Sequence, residues 1–420
     1  MIGFNNIFIE DFMKYGPTAA TPDDLFAYLD RIEAKLKPYI DNLLSRLMPL
    51  SPNREIAIFG AGLVGRQMKL AFDGCGLSAR AFCDNNPDLR GSSTLGLPVV
   101  SAEQIAVRGR LKIVTAVSDP AAAVKISSQL QKLGLDADDV IMPHQTIPEL
   151  IPLIAVQSNL AVLNSHRAEI TAVFDLMPEP KSRYIYLNSI KACFSMPSNE
   201  ACVLSGLLAE GNQYWALPEF RNNSGSTYVD CGSGVGENLF GFLFNNDSKT
   251  VKGIYAFEPI ETRFELLKQT GREISRSLGL GDGVIKCLNY MLGRQTIARS
   301  ALRNEAEDGM LLHSQVSART NPQDSDGAER VELQMLALDD YFKDIPVSMI
   351  KADIEGFEME MLTGAAGLIK SQRPRLAICL YHRPQDVYEI PLYLRSLVPD
   401  YEMAVRHHAV GPSEFVLYCW

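Results

Sequence analysis

Two glycine-rich turns constrain the fold of this chain more than any other feature. The first, Gly60–Gly65, follows the apolar run Ile56–Phe59, and Asp84 lies 19 positions after it. The second, Gly232–Gly236, also follows an apolar run, and Glu258 lies 22 positions after it. A strand, a glycine turn and a helix in this order begin a βαβ unit, in which a helix connects two parallel strands. The sequence therefore predicts two parallel sheets, each covered by helices.

The rest of the chain can be divided around these two turns. A length of 420 residues fits two or three domains. Apolar residues at helical spacing predict a helical segment at 1–50, and alternating strands and helices predict a Rossmann-like nucleotide-binding domain at 51–150. A helical linker and lead-in at 151–225 then precede a second alternating series at 226–420. The predicted fold class is α/β, with two Rossmann-like three-layer domains.

The end of the second series departs from the parallel pattern. Glu402–Arg406 and Glu414–Cys419 are strand-like runs that are joined by Gly411 and Pro412. Because a short turn between two strands produces an antiparallel pair, we expect a hairpin to close a mostly parallel sheet. The polar segment 300–330 predicts an exposed loop.

Charge and cysteine content exclude several classes of function. The net charge of −10 argues against broad binding to nucleic acid or to an anionic membrane. Eight cysteines without a C-x-x-C pair indicate free thiols in a reducing compartment. No apolar run reaches the ~20 residues of a membrane helix, and residues 1–15 lack the basic start of a signal peptide. We therefore expect a cytoplasmic protein without membrane insertion, and a homo-oligomer is compatible with this composition.

The first glycine turn has the spacing of a dinucleotide-binding fingerprint. Gly60, Gly62 and Gly65 would allow a tight turn, a close approach to phosphate and close helix packing. Asp84 would then accept a hydrogen bond from a ribose hydroxyl, so we expect a nucleotide or dinucleotide here. The alternative is a fold without a ligand, in which Asp84 only starts a turn. The segment Phe82–Pro87 also resembles the nucleotide-binding half of sugar-modifying acetyltransferases, which implies a nucleotide sugar.

The second glycine turn differs because an acid, Asp230, precedes it. Gly232, Gly234 and Gly236 leave room for the backbone to close over an amino-acid-like tail and a sugar. Glu258, at the end of the next strand, is placed to accept hydrogen bonds from both hydroxyls of a ribose. An acid before the glycines and another after the second strand are typical of an S-adenosylmethionine site.

Two later segments narrow the function of this domain. Leu338–Phe342 contains a Leu-Asp-Asp, and Ile350–Ala365 contains Lys-x-Asp-Ile-Glu-Gly-x-Glu followed by Leu-x-Gly-Ala. Together they resemble the FkbM-type methyltransferase family, over about residues 157–420. The resemblance implies a class I S-adenosylmethionine-dependent methyltransferase domain at 226–420. It also implies transfer to a hydroxyl oxygen of a sugar or polyketide, and hence a small-molecule or saccharide acceptor.

The catalytic residues are expected at the ends of two neighbouring strands. Asp353 and Glu355 end one strand, and His382 follows the next, so all three should face the same mouth. We predict that His382 takes the proton of the acceptor, directly or through Asp353, while Glu355 orients the acceptor or a bound cation. Helix capping by one of the two acids is the alternative. His407 and Glu414, on the closing hairpin, are expected to support the substrate pocket, or else to serve hairpin packing.

Three further residues complete the predicted site. Tyr214 and Trp215 could stack on a sugar or adenine ring or belong to the core, and Asn289 could contact the adenine amine. The histidines and carboxylates are also ligand types for a divalent metal, but their spacing resembles no known metal motif, so no metal is expected. Two alternatives to the enzyme remain open. One is an inactive scaffold that binds a nucleotide sugar, and the other is an NAD-dependent oxidoreductase that uses the N-terminal domain.

Overall fold

The computed structural model describes residues 18–47, 55–107, 111–196, 198–297 and 334–420. The loop predicted at 300–330 lies outside the described residues. The first described helix, α1 (Pro22–Leu47), begins at a Thr21 hydroxyl that accepts the Asp24 backbone N–H, while the Asp24 carboxylate accepts the Thr21 N–H. The described chain divides into two compact units, one of Phe26–Asn164 and one of residues 18–25 with Ser165–Trp420.

The first unit alternates strands and helices, as its apolar runs predict. Its elements after α1 are β1 (Glu55–Phe59), α2 (Leu63–Gly74), β2 (Ala79–Cys83), β3 (Ser93–Thr94), β4 (Leu97–Val100), α3 (Ala102–Val107), β5 (Leu111–Thr115), α4 (Pro120–Lys132), β6 (Val140–Ile141), α5 (Pro143–Thr146) and α6 (Leu150–Ser165). The strands form one sheet in the order β3-β4-β2-β1-β5-β6, in which only the β3–β4 pair is antiparallel. Both faces of β1 are buried because helices cover the sheet on each side.

The second unit begins with helices and continues with the second alternating series. Its helices before the sheet are α7 (Arg167–Leu176), α8 (Pro180–Phe194) and α9 (Ser198–Leu208). The series is β7 (Thr227–Cys231), α10 (Glu237–Asn245), β8 (Gly253–Phe257), α11 (Glu261–Leu278), β9 (Ile285–Leu288), β10 (Met291–Leu292), β11 (Met335–Leu336), α12 (Leu338–Tyr341), β12 (Met349–Ala352), α13 (Glu358–Thr363), α14 (Ala366–Gln372), β13 (Arg375–Cys379), α15 (Asp386–Leu397), β14 (Met403–His407) and β15 (Phe415–Cys419). The short strands β10 and β11 pair with each other in parallel, outside the main sheet.

The main sheet of the second unit has the strand order β14-β15-β13-β12-β7-β8-β9. The strands from β13 to β9 are parallel, whereas β15 is antiparallel to both β13 and β14. The chain therefore leaves β7 toward β8 on one side and returns to β12 on the other. A crevice opens at such a reversal of strand order, at the carboxyl ends of the parallel strands, and it is where open α/β sheets bind ligands.

An aromatic cluster holds this sheet against α10. The Tyr228 and Phe242 rings stack with centroids 4.5 Å apart, and Trp215 meets the Tyr228 ring edge-on at 5.6 Å. All three side chains are buried, and such pairs add about 0.5–1.5 kcal/mol each to the burial of their area. The cluster fixes β7, and with it the turn that follows. In the described part of the chain, no helix has both the length and the apolar character needed to span a membrane.

Candidate active site

The turn after β7 requires glycine because it passes very close to the end of β12. Gly232 has a φ of +81°, and a Cβ atom there would lie 1.9 Å from the Asp353 carbonyl oxygen. No other residue type combines this left-handed backbone with the missing Cβ at low cost. The close approach brings the glycine turn and the first acid of the predicted catalytic group to the same point of the crevice.

A buried ion pair lies beneath this turn. The Lys351 ammonium, on β12, lies 3.0 Å from a carboxylate oxygen of Asp230 and donates a hydrogen bond to the Gly232 carbonyl at 2.8 Å. Burial alone would lower the pKa of Lys351, but Asp230 and Asp353 raise it above its ordinary value, so the ammonium stays charged. Asp230 is fully buried and does not line the cavity described below. The predicted direct contact between Asp230 and a cofactor is therefore replaced by a pairing with Lys351 that fixes the turn.

Glu258 follows β8 and faces the glycine turn. Its carboxylate accepts the Gly234 backbone N–H at 3.1 Å and the Ile260 N–H at 2.8 Å. These two contacts fix the direction of a carboxylate that can accept about four hydrogen bonds. The Glu258 carboxylate is therefore oriented in a way that suits hydrogen bonds from two vicinal hydroxyl groups.

A cavity of about 430 Å³ opens between these groups and the ends of β12 and β13. This volume lies within the usual range of about 300–1,000 Å³ for small-molecule sites. The acids and glycines along its wall are Gly232, Gly234, Glu237, Glu258, Asp353, Glu355 and Glu414. We call the wall around Gly234 and Glu258 the glycine end, and the wall around Asp353, Glu355 and Glu414 the acidic end.

Asp353, at the acidic end, is held by two tyrosines. The Tyr214 hydroxyl donates to Oδ2 at 3.1 Å, and the Tyr381 hydroxyl donates to Oδ1 at 3.0 Å. Both oxygens of Asp353 are therefore engaged by hydrogen bonds from the protein.

His382, the predicted base, is surrounded by carboxylates. Its Nδ1 lies 3.0 Å from Glu358 Oε1, and its Nε2 lies 3.4 Å from Asp353 Oδ1 and 3.7 Å from Glu355 Oε2. Burial lowers the pKa of the imidazole, but the three acids, Glu358 foremost, outweigh it and raise the pKa to about 9. At neutral pH the ring therefore already carries two protons. A ring in that state cannot take a third, which argues against the predicted role of His382 as a general base.

Three residues of the cavity wall have a left-handed backbone although they are not glycine. The φ angles are +64° at Tyr214, +59° at Glu355 and +63° at Glu414. Such conformations cost of order 1–3 kcal/mol each and cluster at functional sites. Burial and the nearby Asp353 also raise the pKa of Glu414, whose carboxylate accepts a hydrogen bond from Gln213. Glu414 is thus an acid of raised basicity that faces the cavity.

Other predicted site residues lie elsewhere. Trp215 belongs to the aromatic core and does not line the cavity, so it cannot stack on a ligand there. His407 is fully buried between the Ser189 hydroxyl and the Gly411 carbonyl, each at 3.1 Å, and is also absent from the wall. It serves hairpin packing, which was the alternative for this residue.

Asn289 and Gly236 also differ from the prediction in what they contact. The Asn289 amide donates to the carbonyls of Glu258 and Pro259, at 3.0 and 3.2 Å, and the residue does not line the cavity. It shapes the turn after β8, while its neighbour Tyr290 lines the wall. A Cβ atom at Gly236 would meet the side chains of Thr270 and Leu267 at 3.0 and 3.1 Å, so this glycine serves helix packing.

In the turn after β1 of the first unit, two of the three glycines are required by close packing of the backbone. A Cβ atom would lie 2.6 Å from the Ala116 carbonyl oxygen at Gly60, and 1.8 Å from the Gly60 oxygen at Gly65. Gly62, at the start of α2, has no atom within 4 Å of such a Cβ. The Asp84 carboxylate accepts the Ala61 N–H and the Asn86 N–H, both at 2.8 Å. Asp84 therefore both starts a turn and supports the glycine loop, and a nucleotide at this site stays a prediction.

Several residues in or beside the cavity wall had no role in the sequence-based prediction. Lys351, Glu358 and Tyr381 lie within or beside the segments that carried the family resemblance, but their spacing alone assigns them no partner. One signal was present: Lys351 interrupts the otherwise apolar run Met349–Ala352, and a lysine on a buried strand needs an opposite charge.

Comparison with known proteins agrees with this architecture. Residues 230–401 match the family described as "Methyltransferase FkbM domain". A crystal structure of Methyltransferase FkbM from Methylobacillus flagellatus KT aligns with a TM-score of 0.54 and 18% sequence identity, over 95% of this chain and 98% of that chain. At this identity the likeness concerns the fold.

Two other solved structures align with only half of the chain. An rRNA methylase from Streptococcus thermophilus is 15% identical with a TM-score of 0.28, over 50% of this chain and 92% of that chain. A SAM-dependent methyltransferase from Aquifex aeolicus is 16% identical with a TM-score of 0.24, over 52% of this chain and 97% of that chain. No curated protein sequence matches the chain. On the strength of the family match, residues 230–401 belong to the methyltransferase FkbM family.

Proposed function

We propose that this protein is an S-adenosylmethionine-dependent methyltransferase that methylates a hydroxyl oxygen of a sugar or polyketide-type acceptor. The observation that carries the proposal is the shape of the cavity. A carboxylate fixed by the glycine turn, Glu258, lies at one end, and the acids Asp353, Glu355 and Glu414 lie at the other. The first end suits a ribose, and the second suits a polar acceptor.

The residues at the glycine end fit the cofactor. The Glu258 carboxylate would accept hydrogen bonds from the ribose hydroxyls, and the backbone of the glycine turn at Gly232 and Gly234 would lie beside the amino-acid tail. Met291 and Leu292 line the wall near Tyr290 and offer an apolar surface to an adenine ring. When bound, S-adenosylmethionine supplies a methyl group on a positively charged sulfur.

The residues at the acidic end would act on the acceptor. A hydroxyl is a weak nucleophile at neutral pH, so a base must remove its proton during attack. His382 is already protonated and both oxygens of Asp353 are hydrogen-bonded, whereas burial raises the pKa of Glu414. We therefore assign proton removal to Glu414. Glu355, whose side chain is 49% exposed at the mouth, would orient the acceptor.

The cofactor part of the proposal is tested by calorimetry with S-adenosylhomocysteine. The full-length protein should bind it, and Glu258→Gln should weaken binding by about 1–3 kcal/mol because the ribose hydroxyls lose a charged acceptor. Glu261→Gln is the matched control, since Glu261 is exposed in the first turn of α11. A folded wild-type protein without affinity for S-adenosylhomocysteine would refute the proposed function.

The acceptor part is tested separately, by methyl transfer from labelled S-adenosylmethionine to a panel of sugars and hydroxylated polyketides. Amines and carboxylic acids of similar size belong in the same panel. Transfer to an amine in preference to every hydroxyl compound would overturn the assignment of the acceptor and leave the cofactor assignment intact.

A further inference from the structure

His382, Glu358 and Asp353 form a cluster of three side chains of metal-ligating types. They come from three places: Asp353 follows β12, Glu358 begins α13, and His382 follows β13. One ligand atom from each residue lies within 4.8 Å of the other two. Ligands that are each about 2.0–2.2 Å from a metal ion lie roughly 3–4 Å apart. A separation in that range joins His382 Nδ1 to Glu358 Oε1 (3.0 Å), and another joins His382 Nε2 to Asp353 Oδ1 (3.4 Å). A single ion would take one of the two ring nitrogens, with the three ligand atoms within the 4.8 Å limit.

The hydrogen bonding of the cluster is incomplete. Glu358 has no exposed surface and the His382 side chain is 5% exposed. Among the described residues, three atoms of the cluster have no hydrogen-bond partner of acceptable geometry: both ring nitrogens of His382 and the Oε2 atom of Glu358. Buried polar atoms are almost always paired, and buried charges are either paired or coordinate a metal.

The charge of the cluster points the same way. Three carboxylates, those of Asp353, Glu355 and Glu358, surround one imidazole that carries at most a single positive charge. Glu358 is buried and the Asp353 side chain is 23% exposed, and an excess of negative charge there is costly unless a cation neutralises it. The Lys351 ammonium also acts on Asp353, but it is paired directly with Asp230, whose charge it balances.

We propose that Asp353, Glu358 and His382 bind one divalent transition-metal ion at the acidic end of the cavity, with the ion taking the place of one proton on the His382 ring. The donor set indicates the class of ion: imidazole suits zinc and iron, and carboxylate oxygens suit manganese, so Mn²⁺, Fe²⁺ and Zn²⁺ are all compatible. Asp353 lines the cavity, so the ion would face it and have coordination positions open to a ligand.

The position of the ion suggests what it does. An acceptor hydroxyl that completes the coordination would be held at a fixed point, and its proton would be easier to remove. Glu414, which has a carboxylate oxygen within 4.8 Å of an Asp353 oxygen, would be close enough to receive that proton. This role rests on the proposed function, whereas ion binding itself does not.

The test uses Mn²⁺ alone as the probe, on the full-length protein. Titration followed by electron paramagnetic resonance should show one bound Mn²⁺ per chain, and the spectrum should carry nitrogen coupling from an imidazole ligand. His382→Gln and Glu358→Gln should each weaken binding by at least about tenfold, the smallest loss expected when even an outer partner of a ligand is removed. His382→Gln should also abolish the nitrogen coupling.

Glu360→Gln is the matched control. Glu360 lies on the same helix as Glu358, but its carboxylate pairs with Arg294 at 3.1 Å, so Mn²⁺ affinity should be unchanged. Circular dichroism and S-adenosylhomocysteine affinity are measured on each sample to show that it is folded. If His382→Gln is unfolded, the nitrogen coupling of the wild-type spectrum decides by itself.

Two results would overturn the metal site. One is the absence of stoichiometric Mn²⁺ binding by a wild-type protein that binds S-adenosylhomocysteine; His382 would then only pair with its acids. The other is Mn²⁺ binding without nitrogen coupling or with unchanged affinity in folded His382→Gln. A protein that binds Mn²⁺ as expected but not S-adenosylhomocysteine would refute the proposed function and leave the metal site standing.

Discussion

At the scale of single residues, Glu414 has the properties that removal of a hydroxyl proton requires. It lines the cavity, its backbone has a φ of +63°, and burial beside Asp353 raises its pKa. A strained backbone that persists at a cavity wall indicates that the position of the side chain matters more than local stability. A carboxylate of raised pKa is also a stronger base than an exposed one.

We therefore expect Glu414→Gln to lower turnover by about 10²–10⁴-fold, because the amide cannot accept the proton. Affinity for S-adenosylhomocysteine should stay unchanged, since the described contacts of Glu414 are with Gln213 and Asp353 rather than with Glu258. The control is Glu402→Gln, an exposed acid just before β14. Turnover is measured with the acceptor found in the panel. Full activity in Glu414→Gln would show that Glu414 is not the base.

At the scale of elements, the packing of β14 against α8 depends on a neutral histidine. His407 Nε2 can only donate to the Gly411 carbonyl, so Nδ1 is free to accept the Ser189 hydroxyl. Burial, together with the neighbouring His408, lowers the pKa of His407 to about 4, although hydrogen bonds to backbone carbonyls oppose this. The folded protein therefore keeps this ring neutral over a pH range in which the unfolded chain protonates it.

This difference predicts how stability depends on pH. Above the unfolded pKa of about 6.5 the contribution of His407 is complete, and it is lost as pH falls from about 6.5 to about 4. Between pH 7.5 and pH 5.0 the loss should reach about 2 kcal/mol. Urea unfolding of wild type and His407→Gln at both pH values isolates this contribution, because glutamine does not titrate. Equal losses in both proteins would show that His407 does not cause the dependence.

The elements also show where prediction from the sequence succeeds and where it stops. The strands of the main sheet in the second unit were predictable within about two residues because their apolar runs are bounded by glycine, proline or polar residues, whereas the short strands β10 and β11 were not predicted. The position of His382 after β13 followed from the same pattern. Its partner Glu358 did not, because that contact depends on how α13 packs beside the end of β13. His407 was ambiguous because every residue of β14 is buried, so alternation does not reveal which way a side chain points.

At the scale of the whole molecule, the second unit includes a segment that is remote in sequence. The Ala19 backbone N–H donates to the Asn188 side-chain oxygen at 2.7 Å, and the Asn188 amide donates to the Ala19 carbonyl at 2.9 Å. Both residues are buried. Residues 18–25 are thereby attached to α8, although 139 residues of the first unit separate them from Ser165 in the sequence.

Each unit has its own core, so thermal unfolding should show two calorimetric transitions, of which S-adenosylhomocysteine raises one. A ligand present at 100 times its Kd adds about 2.7 kcal/mol to the free energy of unfolding of the unit that binds it.

Asn188→Ala should lower the midpoint of the ligand-sensitive transition, because two buried backbone groups lose their partner at about 1–3 kcal/mol each. The matched change in the first unit is Asn164→Ala, which removes a 2.6 Å hydrogen bond to Glu33 and should leave the ligand-sensitive transition in place. A single transition that the ligand shifts as a whole, or an unchanged midpoint in Asn188→Ala, would show that the segment 18–25 does not stabilise the catalytic unit separately.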